Sequence, residues 1–135
     1  MENNKNEKNE EVKYEEIGIG EDKPQIVAAK VKIEEYRISS VEKDGKKIGD
    51  KLTLLVKHPK VVDRLIEISQ AMYQNGDKLK ISGIWIKLDQ DSKIPFKSCL
   101  ANVLRNTGVG LIKDLVGKEV DTKTDDNGYL VIKAY

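Results

Sequence analysis

Trp85 and the lysines near it are the side chains of this sequence whose types and spacing best fit a chemical task, and that task is binding. Trp85 is the only tryptophan, and Lys78, Lys80 and Lys87 occupy the same strand-like run, GDKLKISGIWIKLD (76–89). An indole ring stacks on any nucleobase, contributing about 1–3 kcal/mol per base, while ammonium groups contact phosphates. The combination predicts contact with a single-stranded nucleic acid. The alternative that Trp85 is a core residue stays open, because a large ring inside an apolar triplet such as IWI is commonly buried.

Residues suited to nucleophilic catalysis are scarce. His58 is the only histidine and Cys99 the only cysteine. A free cysteine beside apolar residues at the start of a short helix is usually a small core residue, although a thiolate activated at a helix N-terminus is conceivable. One histidine and one cysteine also fall short of the four ligands of a structural zinc site. We therefore expect no catalytic residues, no metal site and no cofactor.

Carboxylates offer a third hypothesis. Asp89 and Asp91 flank one residue in a polar loop, and Glu119 and Asp121 alternate on a strand-like run. Such pairs can hold magnesium for nuclease chemistry. Because aspartate in a loop before a helix more commonly makes turn hydrogen bonds, a metal-dependent nuclease ranks below the binding hypotheses.

Alternation of apolar and polar residues predicts strands in the first half of the body. The apolar parity changes within the first strand, 25–40, which predicts a bulge near Glu34–Glu35. The polar, glycine-containing stretch 41–50 predicts a hairpin loop. A second strand, 51–57, directs three side chains inward, namely Leu52, Leu54 and Val56.

A helix and a third strand are predicted next. Pro59 and the helical spacing of the apolar residues after it favour a helix over 59–74 that ends at Asn75-Gly76. The third strand, 77–88, is expected to change its inward parity at Gly83, which would place Trp85 and the lysines together on the face away from the core. The inward residues would be Leu79 and Ile81 before the change, and Ile84, Ile86 and Leu88 after it.

The last third of the chain predicts a short helix with an apolar stripe from Phe96 to Leu104, closed by Gly108. A further helical turn around Leu115 is closed by Gly117. The runs 119–124 and 129–135 then flank Asp125-Asp126-Asn127-Gly128, and Asn-Gly between two strand-like runs is a strong hairpin signal.

Length and composition fit one domain: 135 residues, 39% hydrophobic and 35% charged. The charge is divided unevenly, because residues 1–22 have eight acidic and three basic side chains (net −5), whereas residues 23–135 have 15 acidic and 21 basic ones (net +6). We expect residues 1–22 to be a disordered acidic tail and residues 23–135 to be a single globular domain. The tail is either a solvated leader, or an electrostatic competitor or protein-partner site beside a basic body.

No apolar run approaches the roughly 20 residues of a spanning helix, and no signal pattern opens the chain, so we expect a cytoplasmic protein without membrane contact.

The predicted order of elements becomes β-β-β-α-β-β when the 59–74 helix is treated as an insertion. With the run 76–89, which resembles the third strand of many OB-fold proteins entered through a Gly-Asp turn, this order makes residues 25–135 similar to OB-fold single-stranded nucleic-acid-binding proteins. The resemblance implies a five-stranded Greek-key barrel whose first loop, here containing Lys43, Lys46 and Lys47, grips the ligand. The composition also resembles that of small proteins of thermophilic archaea and their viruses.

We therefore expect a mainly β fold with α, a small OB-fold-like barrel in the order β-β-α-β-α-β-β; the alternative is an α+β open antiparallel sheet. The expected function is non-enzymatic binding of single-stranded DNA or RNA, with DNA as the first choice. The alternative of a different class is an interaction or assembly protein, such as a homodimer joined through a strand edge or through the 59–74 helix. The expected nucleic-acid-binding residues are Trp85, Lys78, Lys80, Lys87, Lys30, Lys32, Arg37 and Tyr129, with Tyr135 as an alternative to Tyr129.

Overall fold

The computed structural model describes residues 14–19 and 26–135, and this part of the chain is mainly β. Its nine strands are sorted by backbone hydrogen bonds into two sheets. The strands of the first sheet are β1 (Val31–Lys43), β2 (Lys46–His58), β3 (Val61–Ile68), β6 (Trp85–Ile86) and β7 (Glu119–Val120). They are ordered β3-β2-β1-β7, with β6 paired to β2.

The second sheet contains the remaining strands, β4 (Gln70–Asn75), β5 (Lys78–Gly83), β8 (Thr122–Thr124) and β9 (Leu130–Ala134). Their order is β5-β4-β9-β8, and β4 with β9 is the one parallel pair among the strands described. The α-helix, α1 (Cys99–Thr107), packs against β4 and β9. Short 3-10 helices cover Tyr14–Glu16 and Ile112–Leu115.

The core lies between the sheets and α1. Because side chains alternate along a strand, each sheet contributes every second residue, and α1 contributes its apolar face. The largest fully buried apolar side chains are Ile33, Leu52, Leu54, Ile68, Ile84, Leu100, Leu115, Ile132, Val31, Val56 and Val103.

Several predicted elements are confirmed. The β1–β2 register shifts between Ile33 and Glu35, where the bulge was expected. The predicted inward residues of the second strand are fully buried. Gly108 ends α1 in the left-handed conformation at φ 86°, and β8 and β9 form the hairpin around the turn at 125–128.

The predicted loop at 41–50 is instead part of a long β1–β2 hairpin. The strands stay paired as far as Lys43 and Lys46, so the connection is only Asp44-Gly45. Both turn residues have positive φ (53° and 78°), as a tight hairpin turn requires. The prediction was wrong because this arm extends beyond the core, so its residues other than Val41 and Ile48 are polar or glycine and show no alternation.

The predicted helix over 59–74 is also wrong, since β3 and β4 occupy this stretch. Pro59 lies in the tight turn between β2 and β3, where its fixed φ is equally suitable. Ile66 and Ile68 face inward along β3, and after Ser69 the inward residues are Ala71 and Tyr73. The change of parity at Ser69 spaces the apolar residues of two strands as in a helix. The observed element order therefore departs from β-β-α-β-α-β-β, and the strands form two sheets rather than the one closed barrel that was expected.

The expected change of parity at Gly83 is not observed. Leu79 and Ile81 are 48% and 36% exposed, so they are not core residues. The inward side of β5 continues through Ser82, opposite the buried Ala71, to the fully buried Ile84. Gly83 and Trp85 consequently lie on the outward side by regular alternation.

Most of the predicted acidic tail, residues 1–13 and 20–22, lies outside the described residues. Residues 14–19 are exposed, and Tyr14–Glu16 form one 3-10 turn. Within the described ranges, no helix is long and apolar enough to cross a membrane.

His58 joins the chain before β1 to the turn after β2. Its ring is 1% exposed; Nε2 donates to the Val27 carbonyl (2.7 Å), and Nδ1 accepts from the Lys60 backbone N–H (3.0 Å).

We expect His58→Leu to leave both backbone groups without a partner and to lower the free energy of unfolding by about 1–3 kcal/mol. Urea denaturation measures this loss. The exposed neighbour provides the control, because Lys57→Ala should change stability by less than about 0.5 kcal/mol. Equal midpoints for the two variants would contradict the assigned role of His58.

Candidate nucleic-acid interface

Trp85 is half-buried on the outward face of the first sheet. It lies opposite Lys51 of β2, which alternates with the inward Leu52. The ring lies close to the backbone at two glycines: a Cβ at Gly49 would be 3.3 Å from Cε3 of the indole, and a Cβ at Gly83 would be 3.1 Å from its Nε1. Trp85 is therefore neither a core residue nor a freely projecting ring, and it covers two strand residues that have no side chains.

Lys51 completes this site. Its Nζ lies 5.6 Å from the centroid of the Trp85 ring, a cation–π distance. A base stacked on the ring would bring its phosphate near the same ammonium group. Lys51 was not among the predicted residues. The alternation of β2 indicates that Lys51 points outward. That Lys51 neighbours Trp85 depends on the pairing of β2 with β6, which no local pattern reveals.

Arg37 lies on the same face. It is paired with Thr53, which shares its parity on β2 with Lys51. The guanidinium Nη2 of Arg37 is 2.9 Å from Oε2 of Glu67 on β3, and both side chains are at least half exposed. An exposed ion pair of this kind contributes about 0–1 kcal/mol, so a phosphate can compete for Arg37.

Lys78 and Lys80 do not share a face with Trp85. Lys80 lies opposite the buried Tyr73 of β4, and Lys78 has the same parity. Because parity does not change at Gly83, both lysines are on the inward side of β5, at an end that extends past the core and is exposed. Their predicted grouping with Trp85 is therefore wrong.

The other predicted cations are scattered. Lys87 is exposed just after β6. Lys30 and Lys32 lie where β1 begins, away from the segment of β1 that neighbours Lys51. Their Nζ atoms are 3.2 Å from Asp121 and 4.0 Å from Glu34, respectively.

Tyr129 lines a groove of about 560 Å³ between the end of β3 and the β8–β9 turn. The side chain is 71% exposed, and Glu67, the partner of Arg37, lines the same groove. Asp125 shapes the turn, because its Oδ1 accepts from the backbone N–H groups of Asn127 and Tyr129 (both 2.9 Å). Tyr129 is thereby placed at the margin of the face that contains Arg37.

Cys99 lacks the features of an activated nucleophile. It is the first residue of α1, 7% exposed, and burial raises the pKa of its thiol, only partly offset by a hydrogen bond with Ser82. A raised pKa disfavours the thiolate at neutral pH, which is opposite to what nucleophilic chemistry requires. His58, the residue that would have to activate the thiol, has both ring nitrogens engaged in hydrogen bonds with the backbone.

The carboxylates considered for magnesium have other partners. Oδ1 of Asp89 accepts from the backbone N–H groups of Asp91 (2.9 Å) and Lys93 (3.0 Å), which is turn chemistry. Asp121 forms an ion pair with Lys30. Across residues 14–19 and 26–135, no three His, Cys, Asp or Glu side chains are grouped so that they could hold a metal ion.

The structure thus brings together Trp85, Lys51 and Arg37 on one outward face, with Tyr129 at its margin. Comparison with protein-family models, with curated proteins and with solved structures finds no match to this chain. The chemistry of this face is therefore the basis for a functional argument.

The position of the indole can be tested through Gly83. A Cβ there would lie 2.7 Å from Cε of Lys51 and 3.1 Å from Nε1 of Trp85. We expect Gly83→Ala to push the ring toward solvent, shifting its emission to the red and increasing quenching by iodide, at a stability cost below about 1 kcal/mol because the lysine stem can move. Gly110→Ala is the matched control, since nothing lies within 4 Å of a Cβ at that position. Identical spectra for the two variants would show that the ring does not lie against Gly83.

Proposed function

We propose that this protein is an intracellular, non-enzymatic OB-fold-like module that binds single-stranded nucleic acid, DNA as the first choice, on the outward face around Trp85. The proposal depends above all on one observation: the only indole is half-buried on a strand surface, with the Lys51 ammonium 5.6 Å from its centroid. That pair offers a stacking surface for any base together with a cation for the adjacent phosphate.

The pairing of the strands supports the OB-fold part of the proposal. The chain passes from β3 into β4 through Ser69 and from β7 into β8 through Asp121, so each pair is one bent strand that contributes to both sheets. Counted in this way, the first strand pairs with the second and the fourth, the second also with the third, and the fifth with the third and the fourth. This order, with α1 between the third and fourth strands, favours the five-stranded Greek-key barrel. The β5–β6 segment is then an addition before the helix.

The position of the Trp85 face within that order supports the binding part. OB-folds bind oligonucleotides on their second and third strands, between the loop joining strands one and two and the loop joining strands four and five. Here Lys51 and Glu67 lie on the second and third strands. The first loop corresponds to the arm ending at Asp44-Gly45, which has exposed lysines on both strands, and the second to the turn that precedes Tyr129.

A homodimer is the other candidate, and its natural interface is the edge of β5, where Leu79 and Ile81 are exposed. Antiparallel pairing that places Leu79 opposite Ile81 of a second copy puts Lys80 directly opposite its own counterpart. Like charges in that position are destabilising, and lysines on an edge strand commonly oppose such pairing. The 59–74 helix, the other interface considered, is replaced by strands. These features favour nucleic-acid binding over self-association.

Loss of the indole tests the proposal directly. We expect Trp85→Leu to weaken binding of a labelled single-stranded oligonucleotide by about 1–3 kcal/mol, or about 5- to 150-fold, because leucine covers the glycines but cannot stack on a base. Fluorescence anisotropy at low salt measures the affinity. Trp85→Phe should retain most of it, and Val62→Ala, at a site 82% exposed on β3, is the control. Wild-type protein that fails to bind, or binding that does not weaken with added salt, would refute the proposal.

Breaking the ion pair at Arg37 should strengthen binding, whereas loss of the indole should weaken it. Glu67→Gln removes the carboxylate 2.9 Å from the guanidinium, so Arg37 becomes available to a phosphate. We expect about 2- to 5-fold tighter binding and a salt dependence steeper by up to about one phosphate contact. Glu119→Gln removes the same charge from β7, and its effect measures the contribution of net charge alone. If both variants bind equally tightly, Arg37 does not contact the ligand.

A further inference from the structure

Phe96, the only phenylalanine, lies on the surface with 74% of its area exposed. It precedes α1, and the guanidinium carbon of Arg105, in the last turn of that helix, is 4.1 Å from the ring centroid. At this distance the guanidinium covers one face of the ring. Since most of the ring is still exposed, its other face is open to solvent.

The position of Arg105 has a simple structural explanation, but the exposure of Phe96 does not. A cation in the last turn of a helix is favoured by the helix dipole, so Arg105 alone indicates no ligand. The dipole gives no reason to hold a large apolar ring in water, where burial would be favourable. An exposed ring fixed by a cation is what a stacking partner requires.

A second aromatic side chain with a cation is connected to the first through the end of α1. Nζ of Lys133 is 5.1 Å from the ring centroid of Tyr135, which is 40% exposed. Asn106, the neighbour of Arg105, donates from Nδ2 to the Lys133 carbonyl (2.8 Å) and so ties the end of α1 to β9. We call the surface formed by Phe96, Arg105, Asn106, Lys133 and Tyr135 the α1–β9 surface.

Unlike Arg37 of the Trp85 face, which is paired with Glu67, the cations of the α1–β9 surface, Arg105 and Lys133, have no carboxylate partner within ion-pair distance among the described residues. The two surfaces are also built from different elements. Trp85 belongs to the first sheet, and the α1–β9 surface combines the helix with the second sheet.

We infer that the α1–β9 surface is a second contact for single-stranded nucleic acid, with a base on the open face of Phe96 and backbone phosphates at Arg105 and Lys133. The inference rests on the proposed function, because it assigns this surface to the same nucleic-acid strand that Trp85 contacts. A guanidinium stacked on a ring keeps the N–H groups of its own plane available to a phosphate, and ring stacking is independent of base sequence. The protein then occupies a longer stretch of nucleic acid than the Trp85 face alone requires.

Two oligonucleotide lengths test this inference on the full chain. An oligonucleotide of about 6 nucleotides is followed by quenching of Trp85, and one of about 16 nucleotides by anisotropy, each as DNA and as RNA of the same sequence. We expect Phe96→Leu to weaken binding of the longer strand about 5- to 50-fold while the shorter strand quenches Trp85 with unchanged affinity. Val62→Ala, which truncates another exposed apolar side chain, should change neither. Arg105→Gln should reduce the salt dependence for the longer strand by about one contact, and Lys123→Gln should not.

The outcomes separate the two proposals. Equal affinity of Phe96→Leu and Val62→Ala for the longer strand overturns the second contact, while Trp85 quenching leaves the proposed function standing. Weaker binding of the longer strand by Phe96→Leu, together with no quenching of Trp85 by the shorter strand, supports the α1–β9 surface and overturns the Trp85 face. Wild-type protein that binds neither length overturns both.

Discussion

Two backbone hydrogen bonds of Ile84 fix the segment between β5 and β6 against β2 and the β3–β4 corner. Its N–H donates to the Ser69 carbonyl (3.0 Å), at the corner between β3 and β4, and its carbonyl accepts from the Leu52 N–H of β2 (2.9 Å). The side chain is fully buried. Because a buried backbone group without a partner is costly, and a shift by one residue would turn Ile84 out of the core, this crossing fixes the register of its neighbours. Gly83 and Trp85 flank it, so the position of the indole on the outward face depends on the same two bonds.

Local patterns predicted those parts of the fold in which one face of an element is uniformly buried. The strand 51–57 and the helix closed by Gly108 have this property, whereas the hairpin around 125–128 was predicted from its Asn-Gly turn and the bulge near Glu34 from a change of parity. The stretch 59–74 was assigned wrongly because Ser69 divides it into two strands with opposite parities. The paired arm over 41–50 was missed because it has no core to impose alternation. Both errors arise because the position of a strand relative to the core is set by tertiary structure, which a local sequence pattern does not reveal.

The candidate site was predicted less well than the fold, and for a related reason. Trp85 and Arg37 lie on one outward face, although the supposed change of parity at Gly83 that was to place Trp85 there is absent. Lys51 was missed and Lys78 and Lys80 were misplaced, since the cation that neighbours the indole is decided by pairing between β2 and β6. Long-range pairing also gives Arg37 a carboxylate partner, which its own strand does not reveal.

The parallel pairing of β4 with β9 has a consequence for how the molecule is made. The pairs are Ala71 with Ile132, Met72 with Lys133 and Tyr73 with Ala134. β4 can therefore form these pairs only after residues 132–134, which are synthesised much later, are present. Until those residues leave the ribosome, β4 has an open edge, and α1 lacks one of the two strands against which it packs. Contacts between such distant segments slow folding, so neither β4 nor α1 reaches its final packing before residues 132–134 are available.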